Sequence, residues 1–313
     1  MIVELLDTTS TEIQKRLIRV REEGGAVALG RVLTFLIHTS GSKEEKVIEA
    51  ANEASREHPM RIVVISDSEE AEGSTPRLDA EIRVGGDAGA SEVVILRPIG
   101  QGEDFLPGLV NGLLLPDAPV VTWWPNQCPA CMADSDLGQI SQRRILDSLE
   151  VGGGHGGLVA IAEGYRPGDT DLAWSRVTGW RTQLAATFDY LDIERVDGVR
   201  VVGMEGNPSA MLLAGWLGLA LGQDVQLDST EHRGIGGVSE VSLTTSNGEV
   251  KLTRLDERTV TLRVPNQPDF SLFLPRRGLA SLLAEELRRL GPDKVYGEVL
   301  LDGIKWVRTS SVK

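Results

Sequence analysis

The two cysteines of the chain, Cys128 and Cys131, stand in a C-x-x-C pair within VVTWWPNQCPACM (120–132). Such a pair can exchange thiols with a disulfide, supply half of a zinc site, or close a regulatory disulfide. Exchange needs the first thiol at a helix N-terminus, where the dipole supplies thiolate. Here MADSDLG follows, acidic and turn-forming, which opposes a thiolate and starts no amphipathic helix. Zinc needs four ligands, and neither a second C-x-x-C nor an H-x₃-H completes the set. His38, His58, His155 and His232 form no H-E-x-x-H group, so no metal is expected. The pair reads as loop cysteines, with a regulatory disulfide between Cys128 and Cys131 as its remaining role.

Glycine supplies the next candidate. Gly152, Gly154 and Gly157 spell G-x-G-x-x-G. That fingerprint holds a pyrophosphate when the loop follows a strand and opens a helix. The downstream LVAIAE reads as a strand, so the spacing predicts a flexible turn. No GK dipeptide and no G-x-S-x-G occur. EGNPSA (205–210) places Asn207 at an N-cap and Ser209 just inside the helix. Those residues cap free amides, and the same amides make Asn207 and Ser209 a candidate anion site.

Six of the fourteen aromatics are tryptophan, two of them in TWWP (122–125). Neighbouring strand residues point to opposite faces, so Trp123 and Trp124 are both core only if both sheet faces are covered. A strand end is equally where α/β sheets present recognition surfaces.

Elements must hold these residues in place. Thr9 and Glu12 have capping-box spacing and open a helix ending at EEGG (22–25). RVLTFLIHT (31–39) reads as a strand. SKEEKVIEAANEASREH (42–58) reads as a helix boxed by Ser42 and Glu45, and MRIVVIS (60–66) as a buried strand. Together they form a βαβ unit with parallel strands. DAEIRVG, SEVVILRPI and APVVTWW (118–124) are further strands, with GDAGA as a turn and a helix within 103–113. The pattern then predicts a helix over 137–149 and a strand over 156–164. After RPGDTDLAW (166–174), Trp174, Val177, Trp180, Leu184 and Phe188 form one helical stripe. Asn207 and Pro208 open an all-round apolar helix. Asn247-Gly248 marks a hairpin in an alternating stretch over 238–264, and Gly291-Pro292 separates two closing helices.

The expected fold is an α/β N-terminal domain over 1–165, with a mixed, partly parallel sheet and flanking helices. An α+β C-terminal domain with an antiparallel meander follows over 166–313. A length of 313 residues suits two domains, and 41% hydrophobic with 25% charged residues is ordinary for a globular protein. The net charge of −14 argues against a nucleic-acid partner. No run is long and apolar enough for a membrane span, and the opening MIVELLDTTS lacks a secretory signal, so a cytoplasmic protein is expected.

Several segments carry a family resemblance: REEGGAVALGRVLTF, IEAANEASREHPMRIVV, RVGGDAGASEVVILR, LLLPDAPVVTWWP, SQRRILD, YRPGDTDLAWSRVTGWRTQLAA, NPSAMLLAGWLGLALG and LPRRGLASLLAEELRRLGPDKVYGEVLL. In that order they resemble the glucose-6-phosphate dehydrogenase assembly protein (OpcA) family. The resemblance implies a two-domain, non-catalytic cytoplasmic protein without a cofactor. Its partner would be glucose-6-phosphate dehydrogenase, whose active oligomer it promotes in the oxidative pentose phosphate pathway. The stretch after WWP is variable in that family, so the cysteine pair is a departure.

An activator binds one state of its partner better than another, and aromatic and arginine anchors suit that work. Trp123, Trp124, Pro125, Arg143, Arg144, Asp169, Asp171 and Trp174 are the candidate partner-binding residues. The alternative function is a redox or small-molecule-binding protein using Cys128/Cys131 or a Gly-rich loop.

Overall fold

The structure is a computed structural model that describes residues 1–23, 30–67, 75–84, 92–100, 106–191, 195–230 and 236–310. The chain begins with β1 (Ile2–Leu5), α1 (Ser10–Glu23), β2 (Leu33–Ser40), α2 (Glu44–Ala54), β3 (Met60–Asp67), β4 (Arg77–Val84) and β5 (Glu92–Ile99). It continues with α3 (Leu106–Asn111), β6 (Val120–Trp124), α4 (Asp136–Gln139), β7 (Arg143–Leu146), α5 (Ser148–Val151), α6 (Gly154–Gly164) and β8 (Asp169–Asp171). Next come α7 (Leu172–Arg176), α8 (Thr178–Leu191), β9 (Val196–Met204), α9 (Pro208–Leu221), β10 (Val225–Thr230) and β11 (Val238–Thr245). β12 (Gly248–Arg254), β13 (Thr259–Arg263), β14 (Phe270–Phe273), α10 (Leu279–Leu287), α11 (Lys294–Leu301) and β15 (Val307–Thr309) complete it.

Two compact units result. One comprises 1–151, 168–170 and 278–292, the other 152–167, 171–277 and 293–313. The single boundary expected near 165 does not contain this exchange, because 278–292 belongs with the first unit.

The first unit has an eight-stranded sheet in the order β1-β4-β5-β3-β2-β6-β7-β8. β5, β3, β2, β6 and β7 run parallel. β4 and β1 extend the sheet antiparallel. β1 is an element the sequence reading lacks. Numbered along the chain, the five parallel strands lie in the doubly wound order 3-2-1-4-5. β3 is buried at all but its last residue, as expected for a strand covered on both faces. α2 buries Val47, Ile48, Ala51 and Ala54 on one stripe, and the turn before Pro59 stops it.

Local signals hold unevenly. The Thr9–Glu12 box forms, with the Glu12 amide donating to Thr9 Oγ1 at 3.3 Å and the Thr9 amide to Glu12 Oε2 at 3.1 Å. The Ser42–Glu45 box does not: Lys43 is the N-cap of α2, and Glu45 instead takes the Arg83 guanidinium. The expected helix over 137–149 shrinks to α4, because RRIL pairs as β7 with β6. Residues 156–164 form helix α6, not a strand. A short apolar run fits either period, and its alanines favour the helix. The predicted 103–113 helix is confined to α3, residues 101–105 lying outside the described residues, as does the GDAGA turn.

The second unit has a seven-stranded sheet, β14-β13-β12-β11-β9-β10-β15. β9, β10 and β15 are parallel, whereas β11 to β14 form the expected antiparallel meander around the Asn247-Gly248 turn. The Trp174 stripe spans two helices that break at Val177. Trp174, Val177, Trp180 and Leu184 join α9 and Tyr296 in the core. Among the described residues, no helix is long and apolar enough to cross a membrane.

Candidate functional site

Two βαβ units of this chain end in places where α/β folds put ligands. In the first sheet the switch point lies between β2 and β6, paired from Thr34↔Val120 to Ile37↔Trp123. The loop after β6 fills that position with its own side chain. Asn126 Oδ1 accepts from Thr39 Oγ1 at 3.0 Å, and its Nδ2 donates to Ser40 Oγ at 3.3 Å. The first turn of α2 then presents Glu44 and Glu45. Glu44 binds Arg97 at 2.5 and 3.1 Å, and Glu45 binds Arg83 at 2.5 and 3.0 Å. The Arg83 hydrogen bond holds the Glu45 carboxyl below its ordinary value. Carboxylates in the first turn of a helix disfavour a phosphate there.

The structure buries the sequence-derived partner candidates. Trp123 and Trp124 are 0% and 2% exposed, pointing to the two covered faces of β6. Trp123 stacks on Phe35 with centroids 6.1 Å apart, and Pro125 is buried beside them. Arg143 and Arg144 lie on β7. Arg143 donates to the Glu286 carboxylate and to Gly291 O at 2.7 Å. Arg144 Nε donates to Asp169 Oδ1 at 2.5 Å, while Thr170 Oγ1 donates to Glu286 at 3.0 Å. In the second unit, Asp171 caps α7 by accepting from the Ala173 amide at 2.8 Å. Trp174 Nε1 donates to Asp293 Oδ2 at 2.9 Å, under an Arg181 guanidinium 3.4 Å from its ring centre.

This differs from the surface patch expected from clustered tryptophans and paired charges. The sequence shows charges beside aromatics. It does not show that Glu286, more than a hundred residues away, closes over Arg143. What the buried tryptophans carry outward is the loop that follows, where Gln127 and Ala130 are exposed.

Cys128 and Cys131 are not joined in a disulfide, and both are half-buried in that loop. A short 3₁₀ turn over Met132–Asp134 and then the four-residue α4 follow them, so neither thiol sits at the start of a long helix. Among the described residues, no cluster of three or more His, Cys, Asp or Glu side chains could hold a metal ion.

The second unit presents the contrasting end. β9, a tight turn, α9 and β10 form a βαβ unit with β9 and β10 paired from Val199↔Val225 to Met204↔Thr230. Gly206 in the turn has φ +67°, which favours glycine. Asn207 is the N-cap as expected, its Oδ1 accepting from the Ala210 amide at 3.1 Å, with Pro208 next. Gly203 brings strand and helix together: a Cβ there would stand 2.6 Å from Ala210 Cβ. Ser209 is 3% exposed, and its Oγ has no hydrogen-bond partner among the described residues.

A cavity of about 260 Å³ opens at this end, lined among others by Met204, Gly206, Asn207, Asp228, Ser229 and Ser310. Asp228 receives Arg200 Nε at 2.5 Å and Gln226 Nε2 at 3.1 Å. Partial burial pushes the Asp228 pKa up, but the hydrogen bonds from Arg200, Gln226 and Ser310 outweigh it and hold the carboxyl low. The Gly152–Gly157 fingerprint lies in this unit and does open a helix, with Gly153 at the N-cap of α6 at φ +86°. The element before it is the short helix α5, not the strand the fingerprint requires. Gly203, Gly206 and Asp228, which line or shape the cavity, carry no local signal in the sequence by type or spacing, whereas Asn207, a candidate anion residue, lines it and Ser209 does not.

Two family models match the chain. Residues 51–163 match the glucose-6-phosphate dehydrogenase subunit N-terminal domain, and residues 167–300 match the corresponding C-terminal domain. No curated protein matches. Among solved structures, the fold is similar to a 3-ketoreductase from Actinomadura kijaniata at 10% identity and TM-score 0.44, covering 88% of this chain and 98% of that one. It is also similar to a biliverdin reductase from Synechocystis sp. PCC 6803 at 10% identity and TM-score 0.39, covering 88% and 96%. Likeness at that level carries no argument about chemistry.

Proposed function

The chain belongs to the OpcA family of glucose-6-phosphate dehydrogenase subunits, and on that premise we propose that it is a non-catalytic assembly factor. It binds glucose-6-phosphate dehydrogenase in the cytoplasm and favours the active oligomer, thereby supplying NADPH through the oxidative pentose phosphate route. The observation that carries this reading is the pair of domain matches, which run in order from 51 to 300.

The engagement of the strand-end groups supports it. Asn126 occupies the switch point, and the acidic residues of α2 are held by arginines. The buried tryptophans and the Arg143–Glu286 and Arg144–Asp169 pairs act as positioning residues, and the exposed loop they support, around Gln127 and Ala130, faces the partner. Activation then follows from differential binding, typically worth about 1–3 kcal/mol between partner states.

Mixing the purified chain with purified glucose-6-phosphate dehydrogenase tests the reading. Light scattering coupled to gel filtration is expected to show a larger dehydrogenase species, together with a rise in its activity. No change in either property overturns the proposal. Exchange of Cys128 or Cys131 with a model disulfide at catalytic rates would favour the redox alternative instead.

A further inference from the structure

The cavity at the carboxyl ends of β9 and β10 supports a second reading, which does not rest on the dehydrogenase. A mononucleotide-binding βαβ unit needs four things: two parallel strands joined by a helix, a tight glycine turn, the helix N-terminus facing that turn, and an acid near the end of the second strand. The turn glycine lets a phosphate approach backbone amides, the helix start attracts its charge, and the acid takes the ribose hydroxyls.

All four are present. β9 and β10 are parallel and joined by the fourteen-residue α9. Gly206 makes the turn at φ +67°. Gly203 allows the close strand–helix packing that the fingerprint assigns to glycine. Asp228 lines the cavity 22 residues after Gly206 (228 − 206), close to the spacing of about 20 that this unit uses.

The side chains that line the cavity fit the same ligand. Asn207 stands at the start of α9 on that lining. Ser229 and Ser310 add hydroxyls, and Met204 and Met211 add apolar surface for a base. Asp228 is already balanced by Arg200, and a carboxylate only accepts, so it suits a diol. Glu205, an exposed carboxylate on the lining, disfavours a polyphosphate. The volume of about 260 Å³ admits one ribose phosphate and leaves no room for a whole dinucleotide. We propose that this cavity binds the ribose-phosphate part of a nucleotide, with the phosphate at the first turn of α9 and the ribose diol at Asp228.

Calorimetric titration of the full chain tests this, with AMP, NADPH, ribose 5-phosphate, glucose 6-phosphate and inorganic phosphate as separate titrants. Saturable binding of AMP is expected, with ribose 5-phosphate competing more weakly. NADPH, whose adenosine ribose carries a 2′-phosphate in place of the diol, is expected to bind more weakly than AMP, and tighter binding of NADPH overturns the placement of the diol at Asp228. Asp228→Asn is expected to weaken binding roughly tenfold or more. Thr309→Trp, placed at an exposed lining position, does the same by filling the cavity without disturbing the core. Asp269→Asn, in a surface pair with Arg263, leaves binding unchanged. The proposal falls if no nucleotide saturates below about 5 mM. It also falls if both cavity variants bind as well as the parent chain, or if glucose 6-phosphate or inorganic phosphate binds as tightly as the nucleotides.

Discussion

The end of β2 and the end of β9 begin from the same topology, a strand running through a turn into a helix and back to a parallel neighbour. They finish as opposites. At β2, Asn126 occupies the crevice and two glutamates occupy the helix start. At β9, glycines form the turn, an asparagine caps the helix without charge, and a cavity remains. The lesson is that topology nominates a ligand site, and the side chains of one turn decide whether it is open. In the proposed reading the closed end belongs to a framework that positions a loop, and the open end to recognition.

The comparison can be broken most severely at the closed end. Trp123→Ala, by removing a fully buried indole stacked on Phe35, is expected to lower unfolding free energy by about 3–5 kcal/mol in a denaturant titration. A loss below about 1 kcal/mol would mean that the residue is not core. Arg143→Met strands the Glu286 carboxylate in a buried site and should cost about 3 kcal/mol or more. The double variant Arg143→Met, Glu286→Leu should recover most of that loss, since two apolar groups then replace the buried pair. Failure to recover would show that the hydrogen bonds to Gly291 and Thr170 dominate.

Smaller effects sharpen the contrast. Asn207→Ala at the open end should cost about 1 kcal/mol through the lost cap. Asn126→Ala at the closed end should cost about 0.5–1.5 kcal/mol. It should create no nucleotide binding, because Glu44 and Glu45 still guard the helix; binding gained there would contradict the electrostatic account. The smallest effect is a pH dependence at Asp228. Its lowered pKa contributes stability above the unfolded carboxylate value of about 3.9, lost as pH falls through the lower folded value. The stability gap between the parent chain and Asp228→Asn should therefore shrink below about pH 4, as thermal unfolding across pH would record.

Much of the framework was legible. β3 as a buried run, the Thr9 box, the Asn207-Pro208 start of α9 and the Asn247-Gly248 turn are each set by neighbours a few residues apart. The errors share a cause. RRIL became a strand because β6 lay ready to pair with it, and residues 154–164 became a helix although their apolar run fits either period. Ser42 lost its box because Arg83 offered Glu45 a better partner.

The site followed the same division. The partner candidates were chosen by type and proximity along the chain, and their long-range partners then buried them. Of the cavity only Asn207 was singled out, because the cavity joins the turn after β9 to residues 309 and 310 about a hundred positions away.

The sequence by itself determined the family resemblance, several helix starts and turns, and the tryptophans' place on a strand. These rest on local periodicity, capping and backbone sterics. Only the tertiary structure decided which charges would be neutralised inside and which of two similar turns would be filled. A buried ion pair and a cavity are made by residues far apart in the chain, and their free energies depend on distances and dielectric surroundings that no local spacing encodes.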